Sequence, residues 1–327
     1  PPPPPPFFQA EDGIRDTSHC LVGSEMCIRD RRNAIIQHGT MTIVRRRVLE
    51  EVGGWADWCI TEDAELGLRI FEHGYAAAYV PHSYGKGLIP DNFSDLKKQR
   101  FRWAYGAVRI MRRHMAALLG LQPSRLTWGQ RYHFVAGWLP WLADGFNLAF
   151  NLAAVAWSVG MILLPEEVAP PHIIFAVLPL TLFAFKLSKM FLLYRLRVAA
   201  SLRQSLAAGL AGLALSHVIA RAMLTGFLTR DIGFFRTPKH AKAHGLVRAL
   251  LDAREELLFL AVLLLAAWAV LLREDGALLD VRIWSFLLLI QGVPYAAAGL
   301  LSLISAAPRL PGRLVGSMRR LQHPRLA

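Results

Sequence analysis

Long apolar stretches that carry almost no charge constrain this chain more than any other feature. Residues 132–164 hold one charged side chain, Asp144, and the stretches 257–272 and 283–306 hold none. A helix needs roughly 20 apolar residues to cross the hydrocarbon core of a bilayer. A content of 54% hydrophobic and 19% charged residues also excludes a disordered, collagen-like or disulfide-framework protein. We therefore predict a polytopic membrane protein.

The hydropathy pattern predicts about four membrane spans. They lie within residues 138–164, 173–194, 256–272 and 283–306. A fifth apolar segment, 206–228, contains His217 and Arg221. We predict that this segment lies in the membrane interface or re-enters, so that both of its flanks stay on one side.

The distribution of charge predicts how the spans are oriented. The chain has 37 Lys and Arg against 24 Asp and Glu, a net charge of +13. The basic residues concentrate in the segment 195–254 and in the tail 308–327, whereas the loop 165–172 has two glutamates and neither Lys nor Arg. Because cytoplasmic loops carry an excess of positive charge, the basic segments are predicted to lie inside. This accounts for the basic balance without a nucleic-acid partner.

Residues 1–31 differ in character from the rest of the chain. Pro1–Pro6 is a homopolymer, and the stretches FFQAEDGIRD and CLVGSEMCIRDR show neither helical nor strand periodicity. They resemble translated sequencing-adapter read-through, so we exclude them from fold reasoning and expect the natural protein to start further upstream. The alternative is a Pro-rich recognition segment.

Residues 32–94 are predicted to be part of a soluble α/β domain. Two stretches suit strands and one suits a short helix: Asn33–Val44, Ala76–Val80 and Val48–Val52. A second helix is predicted to begin at Thr61, because threonine is a favoured N-cap. Its acidic first turn, with Glu62 and Asp63, suits the positive end of the helix dipole. Gly74 is predicted to end it.

Residues 95–131 are predicted to contain a basic amphipathic helix over 95–119. At about 100° per residue, one stripe is apolar and consists of Phe101, Ala104, Val108, Met111 and Met115. Gln99, Arg102 and Trp103 fall within a narrow arc on the opposite side. A helix of this kind lies in the headgroup region with its apolar side in lipid. These three residues are therefore predicted to face the soluble domain.

Two short motifs carry the functional signal. T-E-D at 61–63 and Q-x-x-R-W at 99–103 are each common when they occur alone. In this order, 36 residues apart and followed by membrane spans, they resemble the second half of the active site of processive family 2 glycosyltransferases, the cellulose-synthase-like group. The stretches GTMTIV, GGW, YGKGLIP and QRFRWAYGA within 39–114 extend the likeness, which covers roughly 33–307. More narrowly, they resemble bacterial β-glucan synthases.

The resemblance implies a fold and a location. The fold is mixed: the C-terminal part of a GT-A type α/β glycosyltransferase domain, then the interfacial helix, then an α-helical transmembrane domain over 132–307. The implied location is a bacterial inner membrane, with the catalytic side cytoplasmic.

The resemblance also implies roles for the motif residues. Asp63, in one turn with Thr61 and Glu62, is the base that takes the proton of the acceptor hydroxyl. Gln99 and Arg102 stabilise the diphosphate leaving group. Trp103 offers a flat face on which the acceptor sugar stacks.

Two further sets of residues are implied to surround this centre. His38, Gly39 and Thr40 line the acceptor entrance, and Phe234, Thr237 and Lys239 belong to a gating loop of the form F-x-V-T-x-K. Arg236 stands where the family has Val, so the second match is weaker. Phe234 as an interface anchor and Lys239 as a positive-inside charge are the alternatives.

The donor-binding half of the family site is not found in the sequence. The uracil-contacting Asp and the D-x-D pair that holds Mg²⁺ or Mn²⁺ are absent between residue 32 and Thr61. We therefore expect the chain as printed to be an inactive piece of a larger enzyme that polymerises a sugar from a UDP-sugar onto a glycan. The alternatives are a non-processive lipid glycosyltransferase of the same superfamily and a non-enzymatic polytopic membrane protein.

Overall fold

The computed structural model describes residues 32–37, 39, 42–80, 90, 92–172, 201–230, 232, 246–273 and 278–306, with scattered positions between 174 and 192. The helices with defined ends are α1 (Arg46–Glu51), α2 (Glu62–Glu72), α3 (Phe93–Leu118), α4 (Trp128–Leu163), α5 (Leu202–Ala214), α6 (Ser216–Leu228), α7 (Leu246–Asp252), α8 (Arg254–Arg273) and α9 (Leu279–Ala306).

The α2 helix forms where its amphipathic pattern predicts it. Leu66, Leu68 and Phe71 are buried, while Glu62 and Asp63 of the acidic first turn are half-buried at the positive end of the helix dipole. The helix ends at Glu72, and Gly74 follows with a φ of +84°, a backbone angle that glycine adopts without steric cost.

The two predicted strands are wrong for the part of each stretch that the structure describes. Residues 33–37, 39, 42–44 and 76–80 form no strand. The Asn33 side chain accepts a hydrogen bond from the Ala77 amide at 2.8 Å and donates one to the Tyr75 carbonyl at 3.5 Å. The two segments are therefore joined by a side chain, whereas a strand requires a ladder of backbone hydrogen bonds.

The α3 helix contains the predicted basic amphipathic segment, and Asn92 caps it by accepting a hydrogen bond from the Asp95 amide at 2.8 Å. The middle of its apolar stripe is covered by other helices. Ala104 and Val108 are fully buried in a cluster with Val218, Ala222 and other residues of α5, α6 and α9. The prediction that the stripe faces lipid is therefore wrong for these two residues, because α6 covers them, while Met115 at the end of the stripe is 37% exposed.

Four helices in the described part of the chain are long and apolar enough to cross a membrane. They are Trp128–Leu163, the consecutive pair Leu202–Leu228, Arg254–Leu272 and Leu279–Ala306. Three of them contain predicted spans, and α4 continues through Pro140. The predicted span 173–194 lies mostly outside the described residues. The interfacial placement of 206–228 stays a prediction, although the whole 202–228 segment has the length of a span.

Apolar packing and a few buried polar contacts join the membrane helices. Leu263 of α8, Leu288 of α9 and Met161 of α4 belong to one buried cluster. Across the same interface, Asn151 Nδ2 donates to Tyr295 Oη at 2.8 Å. Helix α6 connects this bundle to α3, because Val218 and Ala222 pack with Ala104 and Val108.

Candidate functional site

Asp63 lies in the first turn of α2, half-buried. Its Oδ1 accepts a hydrogen bond from the Ala64 amide at 2.8 Å. A Cβ added at Gly39 would lie 2.9 Å from Asp63 Oδ2. The loop residue Gly39 thus passes directly against the carboxylate.

Thr61 does not cap α2 through its side chain, contrary to the prediction. Its Oγ1 lies 3.5 Å from Cys59 Sγ and so close to Gly106 of α3 that a Cβ there would overlap it. The hydroxyl is used at the helix–helix contact and is therefore unavailable to the first turn. This contact brings the beginning of α2 onto α3, one turn beyond the Q-x-x-R-W motif.

Gln99, Arg102 and Trp103, which we call the motif face, lie on α3. Gln99 and Arg102 are half-buried, and Trp103 is 41% exposed. Burial lowers the pKa of the Arg102 guanidinium from its usual value, while the negative charge of Glu62 acts in the opposite direction. Arg102 and the acidic turn of α2 are therefore electrostatic neighbours.

Trp103 has one face stacked and part of its ring open. The Arg100 guanidinium lies 4.5 Å from the ring centroid, within the range of a cation–π contact. The guanidinium restricts the orientation of the indole. An exposed, oriented aromatic ring is what stacking on a sugar requires.

A buried charged network that the sequence analysis missed connects α2 to α3. Glu65 is 1% exposed and pairs with Arg69 at 2.8 Å. The ring of His114 on α3 contacts Glu65 at 3.2 Å and Glu72 at 2.9 Å. The spacing of Glu65, Arg69 and Glu72 along one side of α2 was the available signal, but nothing local pointed to His114.

The remaining predicted site residues lie outside the described residues. They are His38, Thr40, Phe234, Thr237 and Lys239, and their roles stay predictions. The helix that precedes the predicted gating loop is nevertheless fixed to α3, because Tyr105 Oη lies 3.1 Å from Thr229 Oγ1.

The described residues do not fit a divalent cation. Within the described ranges, no three His, Cys, Asp or Glu side chains are grouped as metal ligands. We therefore assign no step to a metal ion held by these residues.

The fold and the site together define a membrane protein with a glycosyltransferase-like motif pair beside a bundle of apolar helices. Residues 25–188, just over half of the chain, match the family described as glycosyl transferase family group 2. The chain belongs to this family, and it is a cellulose-synthase-like member. The match begins inside the segment 1–31 that we excluded.

The similar proteins include cellulose synthase catalytic subunits. The chain is 34% identical over 130 residues to the "Cellulose synthase catalytic subunit [UDP-forming]" of Pseudomonas fluorescens, which is 40% of this chain and 17% of that protein. It is 38% identical over 74 residues to the "Cellulose synthase 1 catalytic subunit [UDP-forming]" of Komagataeibacter xylinus, 23% of this chain and 10% of that protein.

A "Probable glycosyltransferase" of Bacillus subtilis is also similar, 30% identical over 96 residues, 29% of this chain and 23% of that protein. The chain therefore spans less than a quarter of the length of each of these relatives.

Proposed function

We propose that this chain is part of a membrane-embedded glycosyltransferase that polymerises glucose, in β linkage, from UDP-glucose onto a growing polysaccharide. The observation that supports it most is the contact of the T-E-D turn with the Q-x-x-R-W helix. The two segments, which are well separated in sequence, meet where Thr61 packs on Gly106 and Glu62 acts on Arg102. A carboxylate, a guanidinium and an oriented indole are thereby placed on two adjoining helices.

The chemistry that we propose for these residues is a single displacement. The acceptor hydroxyl oxygen forms a bond to the anomeric carbon of the donor while the bond from that carbon to the diphosphate oxygen breaks. Asp63 takes the proton of the hydroxyl, and the leaving diphosphate keeps the bonding electron pair. Gln99 and Arg102 stabilise its charge, and Trp103 holds the acceptor sugar in place.

Two further observations support the proposed sugar, nucleotide and export. The names of the relatives in Pseudomonas fluorescens and Komagataeibacter xylinus include cellulose synthesis and UDP formation. A cavity between α4 and α9 is lined by Asn147 and Gln291 among apolar side chains. We propose that such amides provide hydrogen bonds to the sugar hydroxyls during export. The catalytic side is proposed to face the cytoplasm at a bacterial inner membrane, so that export starts there.

Substitution in the full-length protein tests the proposed function. Asp63→Asn removes the base, and we expect turnover of UDP-glucose in membrane vesicles to fall by about 10³-fold or more. Trp103→Ala is expected to lower it by about 10²-fold. Asp57→Asn, at an exposed position before α2, is the matched control and should leave turnover unchanged.

Two results would contradict the proposal. Unchanged turnover in both Asp63→Asn and Trp103→Ala would favour the non-enzymatic alternative. Products that carry one sugar on a lipid would favour the non-processive lipid glycosyltransferase.

We propose separately that the printed chain makes no glycan when it is present alone. Its 327 residues contain no D-x-D sequence, and in the family such a pair holds the Mg²⁺ or Mn²⁺ that neutralises the diphosphate. Membranes that contain only this chain, incubated with UDP-glucose and Mg²⁺, should form no polymer. Polymer formation would overturn this statement.

A further inference from the structure

His114 is a buried histidine with a carboxylate at each ring nitrogen. Its side chain is 10% exposed, and it lies on α3 three turns after the motif face. Nδ1 lies 2.9 Å from Glu72 Oε1, and Nε2 lies 3.2 Å from Glu65 Oε1. A neutral imidazole has only one N–H, so the ring donates both hydrogen bonds only as the imidazolium.

The surroundings of His114 favour the charged ring. Burial alone lowers its pKa, but the hydrogen bonds with Glu65 and Glu72 outweigh burial and raise the pKa to about 9. Arg69 of α2 shares Glu65 with the ring. On the other side, the Arg113 guanidinium lies over the Trp58 ring, whose centroid is 6.4 Å from that of His114.

The network continues from His114 to the turn that carries Asp63. Glu65 follows Asp63 by two residues in the first turn of α2. Arg69 donates to the carbonyls of Val52 and Gly54 in the preceding loop. One ring on α3 is thereby bonded to both ends of α2, and through Arg69 to the loop before it.

We propose that His114 is a positioning residue that holds the first turn of α2, with Asp63, in register with the motif face of α3. The Thr61–Gly106 contact sets how closely the two helices approach, and the apolar packing of Leu68 and Phe71 with Ile110 of α3 is non-directional. The two bonds of His114 are directional, and we propose that they fix the rotation of α2 against α3. The inference rests on the proposed function, because it concerns the distance between the base and the diphosphate-binding residues.

Kinetics of His114→Gln in the full-length protein test the positioning role. A glutamine has no charge and donates from one nitrogen only, so it cannot hold both carboxylates. We expect kcat per folded molecule to fall about 10-fold with the KM for UDP-glucose within about twofold. His172→Gln, at an exposed position between α4 and α5, is the matched control and should retain both values.

Glu72→Gln provides a second variant if His114→Gln fails to fold. It weakens one of the two bonds and keeps the pairing of Glu65 with Arg69, and we expect kcat to fall about threefold. A kcat within twofold of the unsubstituted protein in every folded variant would overturn the proposal.

The pH dependence of unfolding gives a readout that requires no activity. Because the folded pKa of His114 is above the ordinary value of 6.5, its contribution is complete below pH 6.5 and is lost as the pH rises through about 9. In detergent, the unfolding temperature of the unsubstituted protein should fall through this window more than that of His114→Gln. If the unfolding temperatures of the two proteins fell equally with pH, the charged bridge would be wrong.

The kinetic and the unfolding experiments distinguish a failure of the proposed function from a failure of the positioning role. If the unsubstituted full-length protein makes no glycan, the proposed function fails, and the unfolding profile still decides whether the His114 bridge exists. If glycan forms but kcat does not respond to His114→Gln, the proposed function stands and the positioning role is wrong.

Discussion

At the scale of single residues, Gly106 determines how closely the two halves of the site approach each other. A Cβ at this position would overlap Thr61 Oγ1, and Thr61 immediately precedes the turn that holds Asp63. We predict that Gly106→Ala displaces this turn and lowers turnover by about 10²-fold, because a shift of about 1 Å at a reacting group has an effect of that order. Turnover of UDP-glucose by the full-length Gly106→Ala variant tests this prediction.

A glycine with free space around it provides the control for this prediction. In α4, a Cβ at Gly145 would have Met223 Cβ as its nearest neighbour at 3.8 Å, an ordinary van der Waals distance. Gly145→Ala should therefore keep its turnover, and alanine also favours the helix. If Gly106→Ala retained turnover as well, the close approach would not matter for the reaction.

The sequence predicted which residues belong to the candidate site, but it did not predict how they are held. Asp63, Arg102 and Trp103 were identifiable because they belong to two motifs at a recognisable spacing. The role of Thr61 at the helix contact and that of His114 were not, because both depend on which side of α3 meets α2. That orientation is a property of tertiary packing, which periodicity within one helix does not contain.

At the scale of elements, the arginines of α3 fix the end of α6. Arg112 Nη1 donates to the carbonyls of Gly226 and Phe227, both at 2.8 Å, and Arg109 Nη1 donates to that of Thr229 at 3.2 Å. The last carbonyls of a helix have no partners within it, and a cation at this end also suits the helix dipole. From the sequence alone, these arginines are only part of a basic helix.

We predict that Arg112→Met loosens the last turns of α6. The loss of these bonds should cost about 1 kcal/mol, and amide hydrogen exchange in the last two turns of α6 should become about fivefold faster. Arg46→Met removes an arginine whose side chain is 91% exposed and pairs with Glu50, and it should leave that exchange unchanged. Equal exchange rates in the two variants would show that Arg112 does not cap α6.

The error in placing the apolar stripe of α3 has a physical origin. The apolar stripe of α3 was assigned to lipid because an amphipathic helix next to membrane spans usually lies in the interface. The segment 202–228 supplied the missing partner, since Val218 and Ala222 bury Ala104 and Val108. A hydrophobic stripe indicates that it will be covered but does not tell which apolar surface covers it. The helices predicted over 48–52, 61–74 and 95–119 form near those bounds because glycines and periodicity are local signals, although the predicted Thr61 cap was wrong.

At the scale of the whole molecule, a buried ion pair ties α3 to the membrane bundle. Lys97 Nζ lies 2.7 Å from Glu256 Oε1, and the two side chains are 17% and 1% exposed. Lys97 also donates to the Asp252 carbonyl at 2.7 Å. Asp252 and Glu256 follow Lys97 in the sequence by 155 and 159 positions. The contact therefore decides how the helix that carries the motif face sits on α7 and α8.

The last prediction concerns the energy of this pair. Lys97→Met leaves the Glu256 carboxylate buried, with its Oε2 already without a hydrogen-bond partner, and should lower the free energy of unfolding by about 3 kcal/mol. Adding Glu256→Gln to Lys97→Met should recover part of the loss, because the double variant contains no unpaired buried charge. Lys98→Met is the matched control: Lys98 is 46% exposed and pairs with Asp95, so its loss should stay below about 1 kcal/mol. Denaturant unfolding in detergent measures all three, and a double variant less stable than Lys97→Met would show that the pair is held by something other than its charges.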